Sequence, residues 1–471
     1  MTTFQPAAAS KLSKILSLIK QSLKGGDHDF TVGSIRRAVL LLAIPMMLEM
    51  VMESVFALVD LFFVGHLQNS TYAIQTVSLT ESVLAIIYSL AIGLSMAATA
   101  VVARRIGEQD TVAASKAGMQ TITIALIMNV VIGILGFYYA PQILAFMKAD
   151  PETIREGTTF TRIMMGETII IVLLFLINGI FRGAGNAAIA MRSLWIANIA
   201  NIILCPLCIN VFGLGLTGAA VATTIGRGTG VCYQLYHLFT GKGMLRVRLS
   251  YMRPHWEQIK AILKIAIPGI IQFIIASCSF IFLARIVAGA GGAVGSAGYQ
   301  TALRLLMFFL LPAWGMSNAA ATLVGQNLGA KQFKRAEESV FKTMRYNVMY
   351  MGLVMVVSLV ASGYLSAFFT NNEGVKHISA IALRIMSLGF VFYGIAMVMM
   401  SAFNGAGDTW ATTKLNFIGF WVFQVTLAYV LANTFKWGST GVFIAIPIAY
   451  VFISLASYWL FKRGNWKKVK V

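Results

Sequence analysis

Twelve long apolar stretches determine what this chain can fold into. Each is about 20 residues long, which is the length that crosses a bilayer as a helix. They are centred near residues 52, 88, 132, 171, 200, 228, 275, 311, 357, 391, 424 and 451. Because the hydrocarbon region offers no water to backbone groups, each stretch must be helical. The sequence therefore predicts an all-α polytopic membrane protein with twelve transmembrane helices, called here spans 1 to 12.

The distribution of charge decides what the formal net charge of +20 means. Lysines and arginines are concentrated before span 1, after span 2, between spans 6 and 7, after span 8 and in the tail. The loops near residues 67–72, 211–216 and 290–297 have almost none. This is the positive-inside pattern, so we predict a multi-pass protein of the cell (inner) membrane with both termini cytoplasmic. The basic excess reflects topology, and nucleic acid is not an expected partner.

The segments outside the spans are basic. Residues 11–24 (KLSKILSLIKQSLK) place leucines and isoleucines at helical spacing opposite lysines, which indicates an amphipathic helix on the inner leaflet; a frayed basic tail is the alternative. The predicted organisation is a basic N-terminal segment (1–37), an N-lobe (38–240), a cytoplasmic linker (241–261), a C-lobe (262–463) and a basic tail (464–471).

The sequence also repeats itself at an offset of 222 or 223 residues. AIGLSMAATAVVARRIG (91–107) is echoed by AWGMSNAAATLVGQNLG (313–329), and FRGAGN (181–186) recurs as FNGAGD (403–408). Each half contains six spans, an even number, so the halves are parallel repeats related by an axis along the membrane normal. This architecture is typical of alternating-access carriers with a site where the lobes meet; a duplicated bundle with no cavity is the alternative.

Charged residues inside the spans distinguish the two halves. Inserting a charged side chain at the centre of a span costs about 3 kcal/mol, so such residues need a functional reason. The first half carries acids and the second carries arginines: Glu49, Glu53 and Asp60 in span 1, Glu81 in span 2 and Glu167 in span 4, against Arg285, Arg304 and Arg384.

The three acids of span 1 form one stripe. Their spacing places them within roughly 40 degrees of one another around the helix. The stripe is expected to face the cavity, with pairing to a nearby arginine or an interfacial position as the alternative. The 24 methionines and 31 phenylalanines would suit a pliable apolar pocket, or ordinary packing. We predict a substrate cavity lined by Glu49, Glu53, Glu81 and Asn178.

A set of polar side chains is predicted to converge in the outer half of the first lobe. Counting about 1.5 Å per residue from the outer ends of the helices brings several of them to a similar depth. Oxygen-bearing groups around a carboxylate make either a proton site or a sodium site. The set comprises Asp60, Glu81, Glu167, Asn201, Cys205 and Thr223.

These residues resemble the multidrug and toxic compound extrusion (MATE) family over about residues 35–463. The resemblance is carried by motifs in both halves: the run from Pro45 to Gly65 with Asp60 in FALVDLFFVG, the FRGAGN and FNGAGD turns, Asn201 in NIILCP, and GLTGAAVATT ending at Thr224. It implies a two-lobed antiporter in which protons or sodium ions drive drug efflux. It also implies that protonation of Asp60 is linked to bending of span 1 near Pro45, and that Asn201 and Thr223 belong to the cation site.

The chain departs from the family at Cys205, where members with the fuller site have a carboxylate. Sodium prefers oxygen to sulfur, so proton coupling is favoured, with sodium at Asp60, Asn201 and Thr223 as the less favoured choice. Glu53, two turns from Asp60 on the same face, is the candidate for the missing carboxylate. A sister branch has coupling acids in the second lobe, but Ala276 and Tyr393 occupy those places here.

The expected function is secondary active antiport. The protein would export amphipathic, mostly cationic drugs or toxic metabolites in exchange for protons, as a monomer and without a cofactor. The alternative is a flippase for a lipid-linked oligosaccharide or similar lipid, which would use basic residues such as Arg285, Arg304 and Arg384 to bind phosphate. An enzyme is not expected, because no nucleophile–base pair, metal cluster or phosphate-binding loop is visible.

Overall fold

The computed structural model describes residues 11–26, 28–65, 70–241 and 243–471, and every regular element in these ranges is a helix. The predicted all-α fold with twelve spans in two lobes is confirmed. The spans are Ile35–Gly65, Ser70–Gly107, Thr111–Tyr138, Pro151–Gly183, Ala187–Val211, Gly215–Phe239, the run Trp256–Gly329 that holds spans 7 and 8, Phe333–Phe369, the pair Glu373–Ser387 and Phe390–Ala406, Thr409–Thr434, and Gly438–Arg463.

Several spans depart from a single straight apolar helix. Nine helices in the described ranges are long and apolar enough to cross a membrane individually. Spans 7 and 8 share a 74-residue helical run, which is interrupted at Gly292 by a φ of 60° that favours glycine. Span 10 is bent by 57° between its two helices. Span 6 is rich in glycine and threonine, so its apolar character is weaker.

The repeat is visible in the turns as well as in the sequence. Gln109 follows span 2 with a φ of 62°, and Lys331 follows span 8 with a φ of 58°. Gly215 and Gly438 begin spans 6 and 12 with φ values of 52° and 59°. A positive φ is uncommon in residues other than glycine, so its recurrence at matched positions supports parallel repeats.

Each lobe has its own apolar core, and the first span of each lobe also packs against the other lobe. Leu42 and Met46 of span 1 cluster with Met316 and Leu323 of span 8. Ile262 and Ile265 of span 7 belong to the large cluster of the first lobe. Spans 1 and 7 therefore join the two lobes in equivalent ways.

The lobes meet most closely at the face where both termini lie, called here the terminal face. A Cβ atom on Gly107 would lie 1.9 Å from the main-chain oxygen of Gln326, and one on Gly329 would lie 2.1 Å from that of Arg104. Spans 2 and 8 therefore cross backbone against backbone, which only glycine permits. The repeat offset of 222 residues relates Gly107 to Gly329 and Arg104 to Gln326, so the two contacts are equivalent. Together they form what we call the seam.

The terminal segments cross the seam. The guanidinium of Arg335, after span 8, donates to the main-chain oxygens of Phe30 (3.2 Å), Val32 (2.8 Å) and Gly33 (2.9 Å). Arg104 of span 2 donates to the main-chain oxygen of Val469 (3.0 Å). The predicted helix over 11–24 is present as Lys11–Lys24; its position on the bilayer stays a prediction.

Candidate functional site

A cavity lies between the lobes, directly beyond the seam. It encloses about 1120 Å³ of empty space, part of it open to solvent, and is lined by spans 1, 2 and 4 and by the equivalent spans 7, 8, 10 and 11. Within the second-lobe wall, Gly405 of span 10 packs directly against the main chain of Ala321 of span 8. There Thr322 donates to the main-chain oxygen of Arg182 (3.1 Å), so span 8 is bonded to the FRGAGN turn.

The lining of the cavity is aromatic and methionine-rich, with few charges. The polar groups of the second lobe are mostly side-chain amides, and Arg182 is the one charged residue among the described lining residues. Such a surface suits apolar molecules of varied shape, because methionine and aromatic side chains adapt to different ligands.

The four residues predicted to line the cavity lie elsewhere in the first lobe. Glu49 is only 1% exposed and lies behind the wall, where the amide of Asn178 donates to its Oε1 (3.0 Å). Arg182 approaches the same oxygen to 3.6 Å. Glu53 is half-buried on the next turn of span 1, and Glu81 is exposed on span 2. Glu49 is therefore the buried partner of the arginine that lines the cavity.

A polar network extends from Glu49 into the first lobe. The side-chain oxygen of Asn178 accepts hydrogen bonds from Ser193 (2.9 Å) and Gln234 (2.6 Å). Spans 1, 4, 5 and 6 are thus linked by buried hydrogen bonds around one carboxylate. A network of this kind holds its members in place, because each broken bond would leave a desolvated polar group.

A second buried ion pair joins spans 4 and 6. Arg227 lies 3.1 Å from Glu167, donates to the hydroxyl of Tyr88 (2.6 Å), and has its guanidinium 5.5 Å from the ring centroid of Phe56. The sequence-based reasoning missed both Arg182 and Arg227. Arg182 belongs to the FRGAGN turn motif, and counting both signs of charge inside spans 4 and 6 reveals Arg182 and Arg227 beside the acids. The first lobe is therefore less acidic than its carboxylates alone suggest.

Replacing Glu167 by glutamine should destabilise the fold strongly. The substitution removes the carboxylate that lies 3.1 Å from the buried guanidinium of Arg227. Removing one partner of a buried ion pair typically costs about 3–5 kcal/mol of unfolding free energy. The measurement is denaturant unfolding of the purified protein in detergent. The control is Glu373→Gln, which removes an exposed partner of Lys376 and should change stability by less than about 0.5 kcal/mol. Equal losses of unfolding free energy in the two variants would show that the buried ion pair stabilises the fold no more than the exposed one.

The residues of the predicted cation site are partly brought together. Nδ2 of Asn201 donates to Oγ1 of Thr223 (3.0 Å), and both side chains are buried. Cys205 is buried one turn after Asn201. Oδ1 of Asn201 has no hydrogen-bond partner among the described residues. Asp60 lies in the helix of span 1, but its side chain is outside the described part of the structure.

Pro45 lies inside span 1, next to the contact with span 8. A Cβ atom on Gly315 would lie 2.3 Å from the main-chain oxygen of Met46, the residue after the proline. Proline removes one backbone hydrogen bond from the helix and makes this a weak point. A change of direction in span 1 at this point would alter its contact with the other lobe.

The second lobe offers no basic cavity lining among the residues that the structure describes. Arg285, Arg304 and Arg384 are exposed, and none of them lines the interlobe cavity; Arg384 donates to Ser362 (2.6 Å). Ala276 and Tyr393 do line it, without charge. These positions therefore do not support a phosphate-binding flippase cavity.

These features define a two-lobed membrane carrier with parallel repeats and a site between the lobes. The chain belongs to the MatE family, whose model matches residues 45–207 and 268–430, once in each lobe. It is a transporter and not an enzyme.

The chain resembles known sequences and solved structures over nearly its whole length. It is 25% identical to the probable multidrug resistance protein NorM of Thermotoga maritima over 441 residues, covering 93% of this chain and 94% of the relative. It is 24% identical to the probable multidrug resistance protein YpnP of Bacillus subtilis over 447 residues, covering 94% and 98%. A solved outward-facing conformation of a multidrug resistance MATE family transporter of the MOP superfamily superposes with a TM-score of 0.88 at 26% identity, covering 93% of this chain and 98% of that chain.

Proposed function

We propose that this protein exports amphipathic, mostly cationic drugs or toxic metabolites in exchange for protons. It would do so as a monomer in the cell (inner) membrane, with the terminal face in the cytoplasm as the positive-inside pattern predicts. The printed names of its relatives support multidrug transport. The closed seam supports a carrier that is open to the outside, as in the outward-facing relative.

The proposal of proton coupling rests on which first-lobe carboxylates are paired with an arginine. Glu49 and Glu167 each face a buried arginine, so each carboxylate is already engaged in an ion pair within the first lobe. We expect Asp60, from its position in span 1, to lie at the depth of Asn201 and Thr223. The unpartnered oxygen of Asn201 is an acceptor that a protonated carboxyl group or a bound cation would satisfy.

Cys205 favours the proton over sodium. Its buried thiol stands where the family's fuller site has a carboxylate, and a hard cation gains little from sulfur. Glu53 remains the candidate replacement, since it lies two turns from Asp60 in span 1 and interacts electrostatically with Arg227.

The transport cycle follows from these positions. In the outward-open state Asp60 takes a proton from outside, and span 1 bends near Pro45 because the proline has already removed one helical hydrogen bond. The bend displaces the substrate from the cavity wall. The lobes then separate at the seam, the proton leaves toward the cytoplasm, and a new substrate enters.

Transport of rhodamine 6G, a fluorescent cation, into everted membrane vesicles tests the coupling. Collapsing the proton gradient with an ammonium salt should abolish uptake into respiring vesicles that contain the protein. Omitting sodium should leave uptake unchanged. Uptake that persists without a proton gradient but needs a sodium gradient would overturn proton coupling, and vesicles without the protein provide the background rate.

A further inference from the structure

The repeat relates a charged pair in the first lobe to two neutral amides in the second. Glu49 stands four residues after Pro45, and Gln272 stands four residues after Pro268. Arg182 in FRGAGN corresponds to Asn404 in FNGAGD, and both line the cavity. The second lobe thus presents uncharged carbonyl oxygens and N–H groups where the first has an ion pair.

Two amide oxygens in the second-lobe wall have no donor. Oε1 of Gln272 and Oδ1 of Asn416 have no hydrogen-bond partner among the described residues, although their side chains line the cavity and are only 5% and 7% exposed. Buried acceptors of this kind are rare, because each forgoes the hydrogen bonds that it makes in water. Among the described side-chain amides whose buried oxygen has no partner, only these two line the interlobe cavity, where a ligand can donate to them.

The nitrogen atoms of both amides are already engaged, which fixes their orientation. Nδ2 of Asn416 donates to the main-chain oxygen of Gln272 (3.3 Å). Nε2 of Gln272 donates to the sulfur of Met96 across the cavity (3.5 Å). The oxygens are therefore the atoms that remain for a ligand, and they come from neighbouring spans 7 and 11.

The wall around these oxygens is aromatic. Phe273 and Trp314 lie with ring centroids 5.9 Å apart, and Phe280 and Tyr393 line the same side. Aromatic faces attract cations and cover apolar bodies. The positive charge of Arg182 lies on the opposite, first-lobe wall and disfavours a cation there.

We propose that Gln272 and Asn416 bind the N–H donor end of the transported molecule, an alkylammonium or protonated arylamine. Their two oxygens accept its N–H groups while the aromatic wall holds its apolar body. This assignment rests on the proposed export of amphipathic cations but is independent of the coupling ion. It orients the substrate with its cationic end toward the second lobe.

Two matched dyes test the proposal on the purified full-length protein in lipid nanodiscs, without any ion gradient. Rhodamine 6G is a cationic ester with two N–H groups, and tetramethylrhodamine ethyl ester is a similar cation with none. In Gln272→Met and Asn416→Leu, binding of rhodamine 6G measured by fluorescence anisotropy should weaken about tenfold, as expected for loss of a hydrogen bond to a charged donor. Binding of the N–H-free dye should change less than twofold.

Two further variants keep the test decisive if Gln272→Met or Asn416→Leu disturbs the packing of the cavity wall. Gln272→Glu retains an acceptor and adds a negative charge, so it should tighten rhodamine 6G binding. Thr301→Ala, which removes an exposed hydroxyl from span 8, should alter neither dye. Equal losses for both dyes, no loss for rhodamine 6G, or no gain in Gln272→Glu would overturn the proposal. Failure of proton coupling would instead appear in the vesicle assay and leave the dye preference intact.

Discussion

Replacing Gly107 by alanine is expected to abolish export while the protein stays in the membrane. The added Cβ would lie 1.9 Å from the main-chain oxygen of Gln326, well inside contact distance. The clash is with the backbone of a helix, so no flexible side chain can move to relieve it. Overpacking of this kind typically costs about 1–3 kcal/mol or more. Spans 2 and 8 would be forced apart at the seam, so the proposed outward-open state would lose the contact that closes it at the terminal face.

A glycine in open space provides the matched control for this variant. A Cβ atom on Gly352, inside span 9, would meet no atom within 4 Å. Gly352→Ala should therefore be neutral, or stabilising by up to about 1 kcal/mol through higher helix propensity. Rhodamine 6G uptake into everted vesicles measures both variants, and uptake in Gly107→Ala equal to that of the parent would contradict a closed seam as a requirement for transport.

Replacing Asp60 by asparagine is expected to abolish proton-driven export. Asparagine keeps the size and polarity of the side chain but cannot carry a proton between the two faces of the membrane. Binding of rhodamine 6G to the purified protein should remain within about threefold of the parent, because the proposed ammonium site lies in the other lobe.

The control for Asp60→Asn is neutralisation of an acid outside the cavity. Glu373 is exposed at the start of span 10 and pairs with Lys376, so Glu373→Gln should transport at the parent rate. Vesicle uptake and proton release are measured together in both variants. Proton-coupled uptake that persists in Asp60→Asn would exclude Asp60 as the coupling group and turn attention to Glu53.

The spans could be predicted because the requirements of the bilayer, length and apolar character, apply to each segment separately. All twelve predicted centres fall inside helices, including span 6, whose glycines and threonines weaken its apolar signal. Length and apolar character suffice for this, since every backbone group in lipid must be satisfied within its own segment. The repeat was likewise readable, and it correctly paired 91–107 with 313–329 as equivalent segments.

The site was less predictable, because it depends on which helix faces meet. The acid stripe of span 1 could be read from spacing, but its partner Arg182 lies in span 4, more than a hundred residues away. Glu167 and Arg227 likewise lie in different spans, 60 residues apart. An alignment of the repeats shows that Gly107 and Gly329 are equivalent, but not that each touches the main chain of the other lobe.

By itself, the sequence determined that the chain lies in a membrane, that its fold is all-α and that the chain is duplicated. The apolar stretches carry the first two properties as local patterns, and the recurrence of motifs carries the third. The tertiary structure alone decided the pairing of buried charges, the closed seam, and the two unpartnered oxygens of Gln272 and Asn416. These depend on the rotation and crossing of helices that are distant in sequence. Side-chain packing between such helices determines them, and no single stretch of the chain carries that information.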